Sequence, residues 1–149
     1  MKYQGFFRPK NPQKYRGDPN NIIYRSRWEF LVMQNLDKHP DIISWGSEEV
    51  IIPYKSPIDN RYHRYFVDFI VTSINKEGKK ETTLIEVKPL AQTKPPVLKE
   101  GQNPKTKKYI NEVMTWGVND AKWKAAKEYC ADRGWVFKIL TEKELGLKF

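Results

Sequence analysis

Apolar residues recur at helical spacing in SRWEFLVMQNLDKHPDI, where Trp28, Leu31, Val32 and Leu36 share one face. Ser26 stands at the N-cap position, and Pro40 marks where the helix has ended. From Ile43 to Tyr54 the pattern turns to strand. ISWGSEEVIIPY is β-branched in its second half and closed by Pro53 and Pro57. The turn SPIDNR leads into RYHRYFVDFIVTSI, a long aromatic and β-branched run. INKEGKKE reads as a hairpin turn around Gly78, and TTLIEVK as the third strand. Three consecutive strands with short turns predict a meander that is at least partly antiparallel. A proline- and lysine-rich connection follows, PLAQTKPPVLKEGQNPKTKK, long enough to act as a functional loop. Helical spacing returns in TKKYINEVMTWGV and continues in NDAKWKAAKEYCADRGW, with Gly134 as the C-terminal stop. WVFKIL reads as a last strand and TEKELGLKF as a short polar tail. The predicted order is α-β-β-β-α-β, an α/β arrangement of the α+β kind with a mixed central sheet flanked by helices.

Residues 1–24, rich in Pro, Gly, Asn, Lys and Arg, read as an irregular basic arm. With no repeat and no break in composition, residues 1–149 are expected to form a single domain. No apolar run approaches a membrane span, and MKYQGFFRPKNPQ carries no signal-peptide hydrophobic stretch. One cysteine, Cys130, excludes an intrachain disulfide and points to a reducing cytoplasm. Net charge is +9, from 27 Lys and Arg against 18 Asp and Glu. Such an excess favours a polyanionic partner, because each phosphate neutralised releases condensed counterions.

The chemistry concentrates in the third strand. Side chains alternate between faces, so Glu86 and Lys88 of IEVK point one way while Ile85 and Val87 point into the other layer. An amphipathic edge strand with a cross-face ion pair would explain this arrangement. Asp68 argues for more. It sits within HRYFVDFIVT, where apolar neighbours make an uncompensated carboxylate costly. If the two acids lie together, their like charges require a cation between them. Hard oxygen ligands with a lysine nearby describe a site for Mg2+ or Mn2+, with the backbone carbonyl of Val87 as a further ligand. Lys88 would then orient a water or neutralise charge developing on a phosphate. Glu29 is open to two readings. SRWE is a capping box in which Glu29 reaches back to the cap's own backbone N–H, yet the same first turn could aim Glu29 at a metal, directly or through water.

A helix Glu, a strand Asp and then ExK in the following strand resemble the PD-(D/E)xK nuclease superfamily, which has a restriction-endonuclease-like core. The residues that carry the resemblance are Glu29, Asp68, Glu86 and Lys88; Val67 stands where the superfamily often has proline. Over most of the chain, RPKNPQKYRGDPNNIIYRSRWE, WGSEEVIIPYKSPIDNRYHRYFVDF and IEVKP are similar to the small head-completion nucleases of contractile-tailed bacteriophages. Those are in turn similar to the N-terminal nuclease domain of the transposon protein TnsA. The resemblance implies endonuclease and exonuclease action on double-stranded DNA during virion assembly, in the cytoplasm of an infected bacterium. It also implies head, portal or neck proteins as partners.

Arg8, Lys10, Lys14 and Arg16 of the arm, with Arg25 and Arg27, are candidate phosphate contacts. So are Lys94, Lys99, Lys105, Lys107 and Lys108 of the connection after Lys88. Trp28, Trp116 and Trp123 lie at core spacing, His63 reads as solvent-facing or hydrogen-bonded, and Lys122 faces either a substrate groove or solvent. Two rival functions stand beside the nuclease. One is a non-catalytic basic DNA-binding protein of the phage head or neck that keeps the acids as ion pairs. The other is an RNA-binding protein.

Overall fold

The computed structural model describes residues 3–146. Its centre is a four-stranded mixed sheet of β3 (Ile42–Ser47), β6 (Phe69–Ile74), β7 (Lys80–Val87) and β8 (Val136–Leu140) in the order β3-β6-β7-β8. The pairs β3·β6 and β6·β7 are antiparallel, and β7·β8 is parallel. The parallel pair requires a crossover, which α2 (Lys107–Arg133) provides. Helix α1 (Arg27–Lys38) covers the opposite face. The expected mixed sheet between helices is present.

The chain elsewhere departs from the sequence pattern. The run 43–54 is two strands, β3 and β4 (Ile51–Lys55), separated at Glu48, whose φ of 55° lies in the left-handed region. The run 61–74 is likewise two strands, β5 (Tyr62–Phe66) and β6, parted at Val67 and Asp68. Strands β4 and β5 pair only with each other, and this hairpin packs on α2 beside the main sheet. The predicted antiparallel succession survives in the main sheet as β3-β6-β7, with the β4·β5 hairpin inserted between β3 and β6. The helical pattern after residue 106 is one helix of 27 residues, capped by Thr106 and stopped by Gly134 at φ 71°.

The N-terminal segment is not a loose arm. Short strands β1 (Gly5–Phe6) and β2 (Ile23–Tyr24) pair antiparallel, and Phe7, Tyr15 and Ile22 are buried with Trp45, Phe69 and the inner face of α1. Asp37 ties the segment down by accepting the backbone N–H groups of Lys10 (2.8 Å) and Asn11 (3.1 Å). Lys14 is committed too. Its Nζ donates to the carbonyls of Asp37 (2.8 Å) and His39 (2.9 Å) at the end of α1, where helix carbonyls lack partners. Those bonds give the ammonium a structural role at a residue the sequence offered as a phosphate contact. The predicted polar tail is ordered as far as it is described. Thr141 and Glu144 form a capping box for α3 (Glu142–Leu145), and Leu145 packs on the α1 core. Residues 147–149 of that tail lie outside the described residues.

Two apolar layers follow from the alternation in β7. Ile85 and Val87 pack toward α1, while Leu84 faces the layer of Trp123, Ala126 and Cys130 from α2. Glu86 shares the face of Leu84, so its carboxylate enters the α2 layer at the end of the strand.

Candidate active site

Asp68 occupies the junction where the chain leaves the β4·β5 hairpin and enters β6. Phe69 pairs with Ile85, so the ladder next to β7 ends one residue after Asp68. Beyond that point the chain turns away, and Val67 donates its N–H to Val50 instead. The N–H of Val87 is thereby left without a backbone acceptor from β6. Asp68 Oδ2 accepts it at 2.8 Å. The carboxylate thus completes the sheet edge and is fixed at the tip of β7.

Glu86 is 5% exposed. Its Oε2 accepts two hydrogen bonds, one from the Tyr65 hydroxyl and one from Trp123 Nε1 at 3.2 Å. Tyr65 comes from the hairpin and Trp123 from α2, so two elements outside the main sheet hold one oxygen of the acid. Burial and the adjacent Glu86 carboxylate raise the Tyr65 hydroxyl well above its usual range, which keeps it a donor. The Lys122 ammonium lies 5.5 Å from the centre of the Tyr65 ring, on the hairpin side of α2.

The two acids face each other. Burial, then the charge of Glu86 and a hydrogen bond to it, push the Asp68 carboxyl up to about 9, against the pull of the Val87 N–H. Two carboxyl groups sharing a nearly dry space need a positive charge between them, and a proton on Asp68 supplies it. Among the described residues neither acid is paired with a lysine or arginine. Hard oxygen donors of this kind, with a proton holding a cation's place, fit a divalent metal. The linkage has a definite sign. An acid whose pKa is 3.8 unfolded and about 9 folded binds more protons in the native state throughout that interval. Its contribution is complete below the lower value and is lost as pH rises toward the upper one. Metal-free protein is therefore expected to melt at a lower temperature near pH 8 than near pH 5 in EDTA, with added Mg2+ narrowing the gap. Calorimetry at the two pH values checks this.

Val87 connects the acids to an open cleft of about 490 Å³ lined by Glu29, Val87, Lys88, Arg25, Arg27 and Gln92, among others. Lys88 is anchored by its own N–H, which donates to Leu140 of β8 at 3.0 Å. Glu29 is in the first turn of α1. Ser26 caps that turn by accepting the Glu29 N–H at 3.1 Å. The Glu29 carboxylate accepts from the N–H of Arg25 at 2.7 Å, one residue before the cap residue expected from the sequence. It is near enough to Asp68 to raise its pKa by charge, yet no three acids, histidines or cysteines among the described residues cluster as metal ligands. Two carboxylates converge, and the third stands at the rim.

Residues 39–142 match the model of the TnsA-like endonuclease N-terminal domain. The chain belongs to that family. It is also 44% identical over 152 residues to the head completion nuclease of Enterobacteria phage T4, a match covering 99% of each chain. The TnsA-like endonuclease segment includes Asp68, Glu86 and Lys88 and begins after Glu29, whereas the phage relative aligns through Glu29 as well.

Of the other candidates in this TnsA-like chain, Arg25 lies at the cleft and pairs with Glu48 at 2.9 Å; Arg27 lies beside it. Arg8, Lys10 and Arg16 are exposed on the N-terminal segment. Lys94 and Lys108 line a second groove next to the cleft, and Lys99, Lys105 and Lys107 are exposed on the connection and at the start of α2. His63 Nε2 meets Asp59 at 2.7 Å on the surface, as a hydrogen-bonded histidine would. Trp28 is half-buried at the cleft, outside the two core clusters. Tyr65 and Trp123 escape sequence reasoning as site residues because Tyr65 sits in an aromatic strand run and Trp123 at helical core spacing.

Proposed function

We propose that this protein is a divalent-metal-dependent DNA nuclease that acts in completing the phage head after packaging. One observation carries the chemistry: Asp68 and Glu86 are held against each other at the end of β7, under fixed donors and without a basic partner among the described residues. The role in head completion is supported by the name of the 44% identical phage relative. Double-stranded DNA is the expected substrate, head, portal or neck proteins are the expected partners, and the host cytoplasm is the expected location. No helix among the described residues is long and apolar enough to cross a membrane.

Asp68 and Glu86, with the Val87 carbonyl, would hold Mg2+ or Mn2+. A bound ion of this kind supplies Lewis acidity toward the phosphate and a water of lowered pKa. Tyr65 and Trp123 keep Glu86 from turning away, as partners of metal-binding carboxylates generally do. Lys88, in the cleft beside Val87, orients the attacking water and offsets charge gathering on the phosphate oxygens. Glu29 acts at the rim through water, and Arg25 and Arg27 flank it as phosphate contacts.

The test is a supercoiled plasmid. Nicking is expected with Mg2+, none in EDTA, and recovery when Mg2+ is returned in excess. Equal nicking in EDTA would reject the metal. Salt-sensitive binding with no cleavage under any divalent ion would favour the structural protein. Cleavage of duplex RNA as fast as DNA would favour an RNA-directed role.

A further inference from the structure

The groove between the turn after Lys88 and α2 is built differently from a surface that follows a phosphate backbone. It encloses about 590 Å³ and is walled on one side by the 3-10 turn Leu90–Thr93 and on the other by α2. The turn is pinned at both ends. The Leu90 N–H donates to Glu142 at 2.6 Å, and the Thr93 hydroxyl donates to the Leu90 carbonyl at 2.6 Å. Its apolar wall includes the Trp116 indole, and three carboxamides converge on it: Gln92, Asn111 and Asn119.

Asn119 decides the matter. It is 7% exposed, lines the groove, and its amide takes no hydrogen bond from any described residue. Its polar atoms are not among the fully buried unpartnered ones of the described residues, so the amide opens into the groove and offers a ligand both a donor and an acceptor. Lys94 and Lys108 supply positive charge at the same groove. A flat ring that stacks on indole, offers a hydrogen-bonding edge to amides and carries phosphate is a nucleotide base. In a duplex that edge is already occupied, so the base must be unpaired.

The groove also touches the site. Gln92 lines both it and the catalytic cleft, and Asn119 lies one helical turn before Trp123, the residue bonded to Glu86. Resting on the nuclease reading above, we propose that this groove takes one unpaired nucleobase adjoining the scissile phosphate, so that the preferred substrate is DNA with a single-stranded end, flap or gap.

The test uses full-length protein with Ca2+ in place of Mg2+, so that binding is read without cleavage. Three ligands are compared: a blunt duplex, the duplex with a single-stranded overhang, and that overhang with abasic sugars. The overhang is expected to bind about tenfold tighter than the blunt end, the abasic overhang to fall back to the blunt value, and N119L to lose the preference. Gln92→Ala, at an exposed turn, gives the same readout if N119L fails to fold. Equal affinity for base-bearing and abasic overhangs, or an unchanged preference in folded Gln92→Ala and N119L, would overturn the proposal. A retained overhang preference in a protein that never nicks plasmid would overturn the nuclease reading and leave the base pocket standing.

Discussion

Asp68→Asn is expected to lower Mg2+-dependent nicking by on the order of 10³-fold or more. The amide keeps an oxygen for the Val87 N–H, so the sheet edge that Asp68 completes should survive. What it cannot supply is a second negative charge facing Glu86. A fall confined to the chemical step, with DNA binding equal to or tighter than that of the parent, is therefore expected in single-turnover assays. The same variant should lose the pH dependence of melting described above, because the group responsible no longer titrates. Full cleavage by a pure preparation of this variant would remove Asp68 from the site.

Lys88→Met is the second large effect. The methionine keeps length and much of the packing while removing the ammonium, and the backbone bond from residue 88 to Leu140 remains. A loss of about 10²–10³-fold in the cleavage rate is expected, the usual scale for deleting one preorganised charge near a developing anion. Affinity measured in Ca2+ should fall far less, since Arg25 and Arg27 at the cleft and Lys94 and Lys108 at the adjoining groove keep their charges. Lys88→Arg should not restore the rate, because a planar fork cannot replace a compact ammonium beside Val87. If affinity and rate fell together in Lys88→Met, the lysine would be a binding residue and not a catalytic one.

The amphipathic α1, the capping serine, the Gly78 turn and the two acids with their lysine were all legible from local pattern. The first three are decided by residues within a few positions of one another, and the acids lie at the ends of neighbouring strands joined by the short Gly78 turn. The breaks at Glu48 and at Asp68 were not. An acidic residue in a left-handed conformation carries no strong sequence signal, and Val67-Asp68 lies inside an uninterrupted apolar run whose period does not reveal a change of sheet. The pairing of Glu86 with Tyr65 and Trp123 joins residues 21 and 37 positions apart, and both aromatics also serve the core. The N-terminal segment looked irregular because its order comes from Asp37 and the Trp45 cluster, not from its own propensities.

Strand β7 has a neighbour on each side; Glu86 lies at its end and Lys88 follows it directly. An interior strand exchanges its amide protons only when the whole sheet parts, so catalytic geometry and global folding share one threshold. Heating should leave no interval in which the fold persists with a slack centre. Heat-sensitive variants selected in this chain would then be absent proteins at the restrictive temperature, not present but idle ones.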